Sequence, residues 1–106
     1  MGFNVNFPLP EKISSEYYTN TLGKALKLIQ DFNPEYLVVA LGLDTAKGDP
    51  TGTWDFTQNS FLTTGALIGN LKIPSLIVQE GGYKSQSLGS NARAFFTGFH
   101  QAFSNR

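Results

Sequence analysis

Hydrophobic and polar positions along this chain fall into alternating short and long periods. Phe3-Asn4-Val5-Asn6-Phe7 alternates apolar and polar side chains, the period of a strand, and Pro8-Leu9-Pro10 stops it because proline cannot donate to a ladder. Ser14 or Ser15 then offers an oxygen that can cap a helix. Tyr18, Leu22, Ala25, Leu26 and Ile29 follow at i, i+4, i+7, i+8 and i+11, which is one helical face. Asn33-Pro34 ends that helix, since the residue before proline avoids the α region.

Tyr36-Leu37-Val38-Val39-Ala40-Leu41 is a continuous apolar run with a β-branched pair, the pattern of a central parallel strand covered on both faces. The stretch from Gly42 to Thr57 holds Gly42, Gly48, Pro50 and Gly52 and reads as a long loop. Thr57 or Asn59 caps a second helix, which carries Phe61, Gly65 and Ile68 and stops near Pro74. Ser75-Leu76-Ile77-Val78 predicts the third strand. The last helix is expected from about Leu88 to Phe103, with Leu88, Ala92, Phe95, Phe99 and Phe103 along one side. The order βαβαβα predicts an α/β fold, a three-stranded parallel sheet with flanking helices. Such a small sheet has two open edges that invite pairing with another chain.

Composition adds a second reason to expect a partner. The 106 residues make one domain at most. Only 15% of them are charged, against roughly 25% in an average soluble domain, and nine are Phe. A small domain has much surface for its volume and should be more polar than average. Part of this surface is therefore expected to be covered, by the rest of a larger domain or by oligomerisation. The hydrophobic fraction of 41% excludes a disordered chain. Eight basic residues balance eight acidic ones, so neither nucleic acid nor an anionic membrane is an expected partner. No apolar run reaches the ~20 residues of a membrane span. Met1-Gly2-Phe3-Asn4 lacks the basic start and apolar core of a signal peptide, which makes the cytoplasm the expected compartment. Without cysteine, disulfides and thiolate metal sites are excluded.

Ligands of open α/β sheets bind at the carboxyl ends of the strands. That rule selects two segments, Gly42-Leu43-Asp44 and Glu80-Gly81-Gly82-Tyr83. Asp44 is a carboxylate fit to be a hard metal ligand or a base, and equally fit to cap its own loop. Tyr83 offers a phenol that can donate to a substrate oxygen, or a ring that packs after a turn. Gly81 and Gly82 suit close approach of a ligand to the backbone, or a plain turn. Asp49-Pro50 reads as structural, the Asp side chain bonding loop amides. His100, the one histidine, lies far along the chain on the last helix and reads as a surface or packing residue.

Taken together, Leu41-Gly42-Leu43-Asp44-Thr45-Ala46-Lys47-Gly48-Asp49-Pro50, Phe56-Thr57 and Gln79-Glu80-Gly81-Gly82-Tyr83 resemble the C-terminal part of the histone deacetylase superfamily. The Glu-Gly-Gly-Tyr form is most similar to acetylpolyamine amidohydrolases. Asn4-Val5, Tyr17-Tyr18, Asn33-Pro34-Glu35 and Leu88-Gly89-Ser90-Asn91-Ala92 are similar too, so the resemblance covers nearly the whole chain. It implies an arginase/deacetylase-like fold with zinc at the carboxyl edge of the sheet. It implies Asp44 as one of three protein zinc ligands and Tyr83 as the donor to the amide oxygen. The implied substrate is an acetylated lysine or polyamine amine. In that family the other ligands, in an Asp-x-His motif, and the paired His bases lie in a portion N-terminal to this one. The isolated chain is accordingly expected to be inactive. Ala46 and Lys47 depart from the His-containing form of this loop common among relatives. Two alternatives stand beside this reading. One is a non-catalytic module that self-associates through its sheet edge or apolar helix faces. The other is an unrelated α/β binding domain that happens to carry Gly-Gly-Tyr.

Overall fold

Two five-residue strands, β1 (Leu37–Leu41) and β2 (Ser75–Gln79), run parallel in register, with Leu37 opposite Ser75 and Leu41 opposite Gln79. The helices α1 (Ser15–Phe32), α2 (Gln58–Gly69) and α3 (Ser85–Ser104) complete the order α1-β1-α2-β2-α3. This computed structural model describes residues 4–105. The sheet they form has two strands, not the three the pattern predicts. Phe3 lies outside the described residues, and Asn4 to Phe7 adopt no regular structure. A strand exists only through its neighbour's hydrogen bonds. Val5 and Phe7 instead share an apolar groove with Leu28, Ile29 and Tyr36, and two prolines follow directly.

Local chemistry explains the helix ends. The Ser14 hydroxyl accepts from the Tyr17 amide at 3.0 Å and caps α1. Asn33 closes it in the left-handed region at φ 57°, and the amide of Asn33 donates to Ile29 and Gln30 carbonyls. Thr57 caps α2, and the Ser60 hydroxyl accepts from its amide at 3.1 Å. The last helix begins at Ser85, three residues before its first apolar position, because a polar first turn leaves no mark in the hydrophobic pattern.

All three helices feed one core. Leu26 of α1, Leu41 of β1, Phe61 and Ile68 of α2 and Phe95 of α3 are buried in one cluster, and Phe95 is fully enclosed. Leu37, Val39 and Ile77 join it from the sheet. The opposite sheet face is open: Val38 is 67% exposed, Leu76 61% and Val78 43%. The prediction that β1 is covered on both faces fails here. An apolar run records that both faces avoid water, but these helices reach only one of them.

Helix α2 packs on α3 through glycine. A methyl placed on Gly65 would meet the Phe95 carbonyl, one on Gly69 the Phe99 carbonyl, and one on Gly98 the Leu62 carbonyl. Beside this contact, Tyr18, Trp54, Phe56 and Phe61 form a ring cluster, with Tyr18 edge-on to Phe56 at a centroid distance of 4.8 Å. Burial pushes the Tyr18 phenol pKa upward.

Lys72, in the left-handed region at φ 61°, places its ammonium on the carbonyls of Ala102, Phe103 and Asn105 at the C-terminal end of α3. A cation there offsets the negative end of the helix dipole. Lys72→Ala is expected to lower stability by about 0.3–1 kcal/mol. Urea midpoints at low and high salt check this, and the difference should shrink as salt rises.

Candidate functional site

The parallel ladder continues one step beyond the strands. The Glu80 amide donates to the Leu41 carbonyl at 2.8 Å, and the Leu43 amide to the Gly81 carbonyl at 2.8 Å. These bonds bring Gly42-Leu43-Asp44 alongside Glu80-Gly81-Gly82-Tyr83 at the carboxyl end of the sheet. Leu43 points into the core at 2% exposure, while Asp44 is half-buried. The Asp44 carboxylate lies between the two strand tips. A Cβ built on Gly42 would stand 2.9 Å from its Oδ1, and one on Gly81 2.7 Å from its Oδ2. Both glycines leave the room that this carboxylate occupies. Gly82 adopts φ 147°, and a Cβ there would meet Leu88 at 2.7 Å and Leu43 at 3.0 Å. The turn it permits delivers Tyr83, whose side chain is largely in solvent at 59% exposure.

The loop between β1 and α2 is held by its own turns. Asp49 N–H donates to Ala46, Gly52 N–H to Asp49, Lys47 N–H to Phe56 and Phe56 N–H to Thr45. At its centre Asp49 is 4% exposed. Asp49 Oδ1 accepts from the Thr51 amide and the Thr51 hydroxyl, both at 2.8 Å. Asp49 Oδ2 accepts from the Tyr83 amide at 2.8 Å. Burial by itself pushes the Asp49 carboxyl pKa up. The amides of Tyr83, Thr51 and Lys84 and the Thr51 hydroxyl overcome this, and the pKa lies below the ordinary carboxylate range.

A depressed folded-state pKa stabilises the fold above the unfolded value of about 3.9. That contribution is lost as pH falls through the folded value. The thermal midpoint is expected to drop on acidification below about pH 4. Asp49→Asn should lower the midpoint at neutral pH and flatten part of the acid limb, as calorimetry across pH would record.

The sequence therefore selects residues that the structure gathers at one sheet end: Asp44, Gly81, Gly82 and Tyr83. Pro50 is exposed in the turn after Asp49, and His100 is exposed on α3. The bond from the Tyr83 amide to Asp49 leaves no mark in the sequence, because nothing in an Asp-Pro pair points to a donor 34 residues away. The one sequence signal for the α2–α3 glycine contact is that Gly65 and Gly69 stand four apart on one helix face. Among the described residues no three His, Cys, Asp or Glu side chains group to hold a metal ion. The cradle around Asp44 suits one carboxylate donor, and these residues alone do not fit a three-ligand zinc centre. No helix among the described residues is long and apolar enough to cross a membrane.

This parallel α/β layer is of the arginase/deacetylase-like class, as a solved structure of that class shows. Its backbone superposes on the crystal structure of acetylpolyamine aminohydrolase from Burkholderia pseudomallei with a TM-score of 0.91 and 42% identity, over 95% of this chain and 30% of that one. The chain belongs to the histone deacetylase domain family, which matches residues 1–99. It is similar to the acetylpolyamine amidohydrolase of B. pseudomallei, 42% identical over 93% of this chain and 29% of the relative. It is also similar to acetylpolyamine amidohydrolase 2 of Pseudomonas aeruginosa, 35% identical over 92% of this chain and 28% of the relative. The chain thus spans less than a third of the length of these relatives. Family membership overturns the alternative of an unrelated binding domain.

Proposed function

We propose that this chain is the C-terminal portion of a zinc-dependent amidohydrolase that removes acetyl groups from acetylated lysine or polyamine amines. The observation that carries this reading is the Asp44 carboxylate seated between Gly42 and Gly81, two residues before Tyr83. Asp44 supplies one donor to a zinc centre whose other donors come from an N-terminal portion. Zinc of this kind supplies Lewis acidity and an acidified water. Tyr83 donates its phenol proton in a hydrogen bond to the amide oxygen as that oxygen gains charge. Its exposure in this chain matches a group that meets substrate at a cleft completed from elsewhere.

The open sheet face of Val38, Leu76 and Val78 is where that N-terminal portion packs. Without it, the isolated chain is expected to self-associate and to be catalytically inactive. Co-expression with the N-terminal portion of the B. pseudomallei relative tests the reading. Bound zinc and hydrolysis of acetyl-lysine or acetylpolyamine should appear only when both polypeptides are present. A folded complex with no zinc-dependent hydrolysis overturns the proposal.

A further inference from the structure

The two oxygens of Asp49 do different work. Oδ1 takes the Thr51 amide and hydroxyl, a local turn that an Asn side chain can also make. Oδ2 reaches across to the Tyr83 amide, out of its own loop. The carboxylate therefore ties the loop that follows Asp44 to the backbone of Tyr83.

Tyr83 needs such a tie. Its ring is mostly in solvent, so side-chain packing does little to place the phenol. Its position follows from its backbone, and the preceding residue is Gly82 at φ 147°, the least restricted residue type. On one side of that glycine the Gly81 carbonyl is fixed by the Leu43 amide. On the other side the bond to Asp49 Oδ2 fixes the Tyr83 amide. Two anchors thus bracket a soft joint, and both run to the segment that carries Asp44.

We propose that Asp49 is a positioning residue for Tyr83: through the bond from the Tyr83 amide to Oδ2 it sets where the phenol stands relative to the Asp44 carboxylate. This rests on the catalytic reading above and adds to it a third residue that touches neither substrate nor metal. Asn is the informative replacement, because all the donors facing this side chain need an acceptor. If the Asn oxygen serves Thr51, its NH2 confronts the Tyr83 N–H, two donors face to face.

The test has two arms. In the full chain, amide hydrogen exchange followed by NMR should show Tyr83 N–H protected, and Asp49→Asn should speed its exchange about tenfold beyond any change at the Phe95 amide, which follows the global loss of stability. In the two-part complex, Asp49→Asn should lower kcat about 10- to 100-fold, leaving KM and zinc content as they were. The double variant with Tyr83→Phe should lose no more than Tyr83→Phe alone, since a misplaced phenol matters only when the phenol is present. A Tyr83 exchange rate that rises no more than that of Phe95 in Asp49→Asn overturns the anchor. A loss that multiplies on the Tyr83→Phe background overturns the positioning role and leaves a structural one. If the complex with the unaltered chain is inactive, the catalytic reading fails, and the exchange arm still decides whether Asp49 holds Tyr83. Should Asp49→Asn not fold, exchange in the unaltered chain still decides the anchor: a Tyr83 N–H that exchanges as fast as an unprotected amide overturns it.

Discussion

Gly98→Ala is expected to destabilise this chain by about 3 kcal/mol, at the upper end of what overpacking a core usually costs. The added methyl would sit on the Leu62 carbonyl, with the Leu62 carbonyl carbon at 3.0 Å and the Ala66 amide nitrogen at 3.1 Å. These are backbone atoms of the facing helix, and no side-chain rotation relieves them. The two helices must move apart, which loosens the contact that encloses Phe95. Intrinsic preference points the other way, since Ala in a helix interior is favoured over Gly by about 1 kcal/mol. A measured loss therefore isolates the packing effect. Gly23→Ala and Gly89→Ala serve as controls, because nothing lies within 4 Å of either added methyl. Both should stabilise the chain by about 0.5–1 kcal/mol. Urea unfolding of the three variants checks the sign reversal. A stable Gly98→Ala chain would mean that α2 and α3 do not meet this closely.

In the two-part complex, Tyr83→Phe is expected to lower kcat by about 10²–10³, the loss typical of one donor to a developing oxyanion. Zinc content should stay as it was, because the phenol is assigned no metal bond. Asp44→Ala should show the opposite order of events, with bound zinc lost and activity lost as a consequence. Metal analysis beside steady-state kinetics separates the two. An unaltered rate in Tyr83→Phe removes the role given to the phenol. Retained zinc in Asp44→Ala removes the role given to the carboxylate.

Why some of this was legible in the sequence follows from the range of the forces involved. Helix α1 could be read to within a residue because its signals are local. Ser14 caps with its own side chain, Asn33 takes the left-handed turn, and Pro34 forbids continuation. Alternation over residues 3–7 predicts a strand that residues 4–7 do not form, because alternation describes a side-chain pattern, whereas a strand also needs an edge to pair with. The apolar run over residues 36–41 predicts a strand that forms over Leu37–Leu41, yet its second apolar face stays open. The pattern records what the whole fold covers, and this chain carries only part of the cover.

The sequence by itself determined the three helices, the two strands that pair, the parallel α/β class and the two segments that bear Asp44 and Tyr83. Each follows from periodicity, capping or turn chemistry acting over a few residues. Tertiary structure alone decided that the Asp44 carboxylate rests against Gly81, that Asp49 takes the Tyr83 amide, and that α2 meets α3 through Gly65, Gly69 and Gly98. Those contacts join residues some 30 to 40 positions apart. Close packing and hydrogen-bond geometry fix such pairs only after the chain has folded back on itself, and no local pattern encodes them.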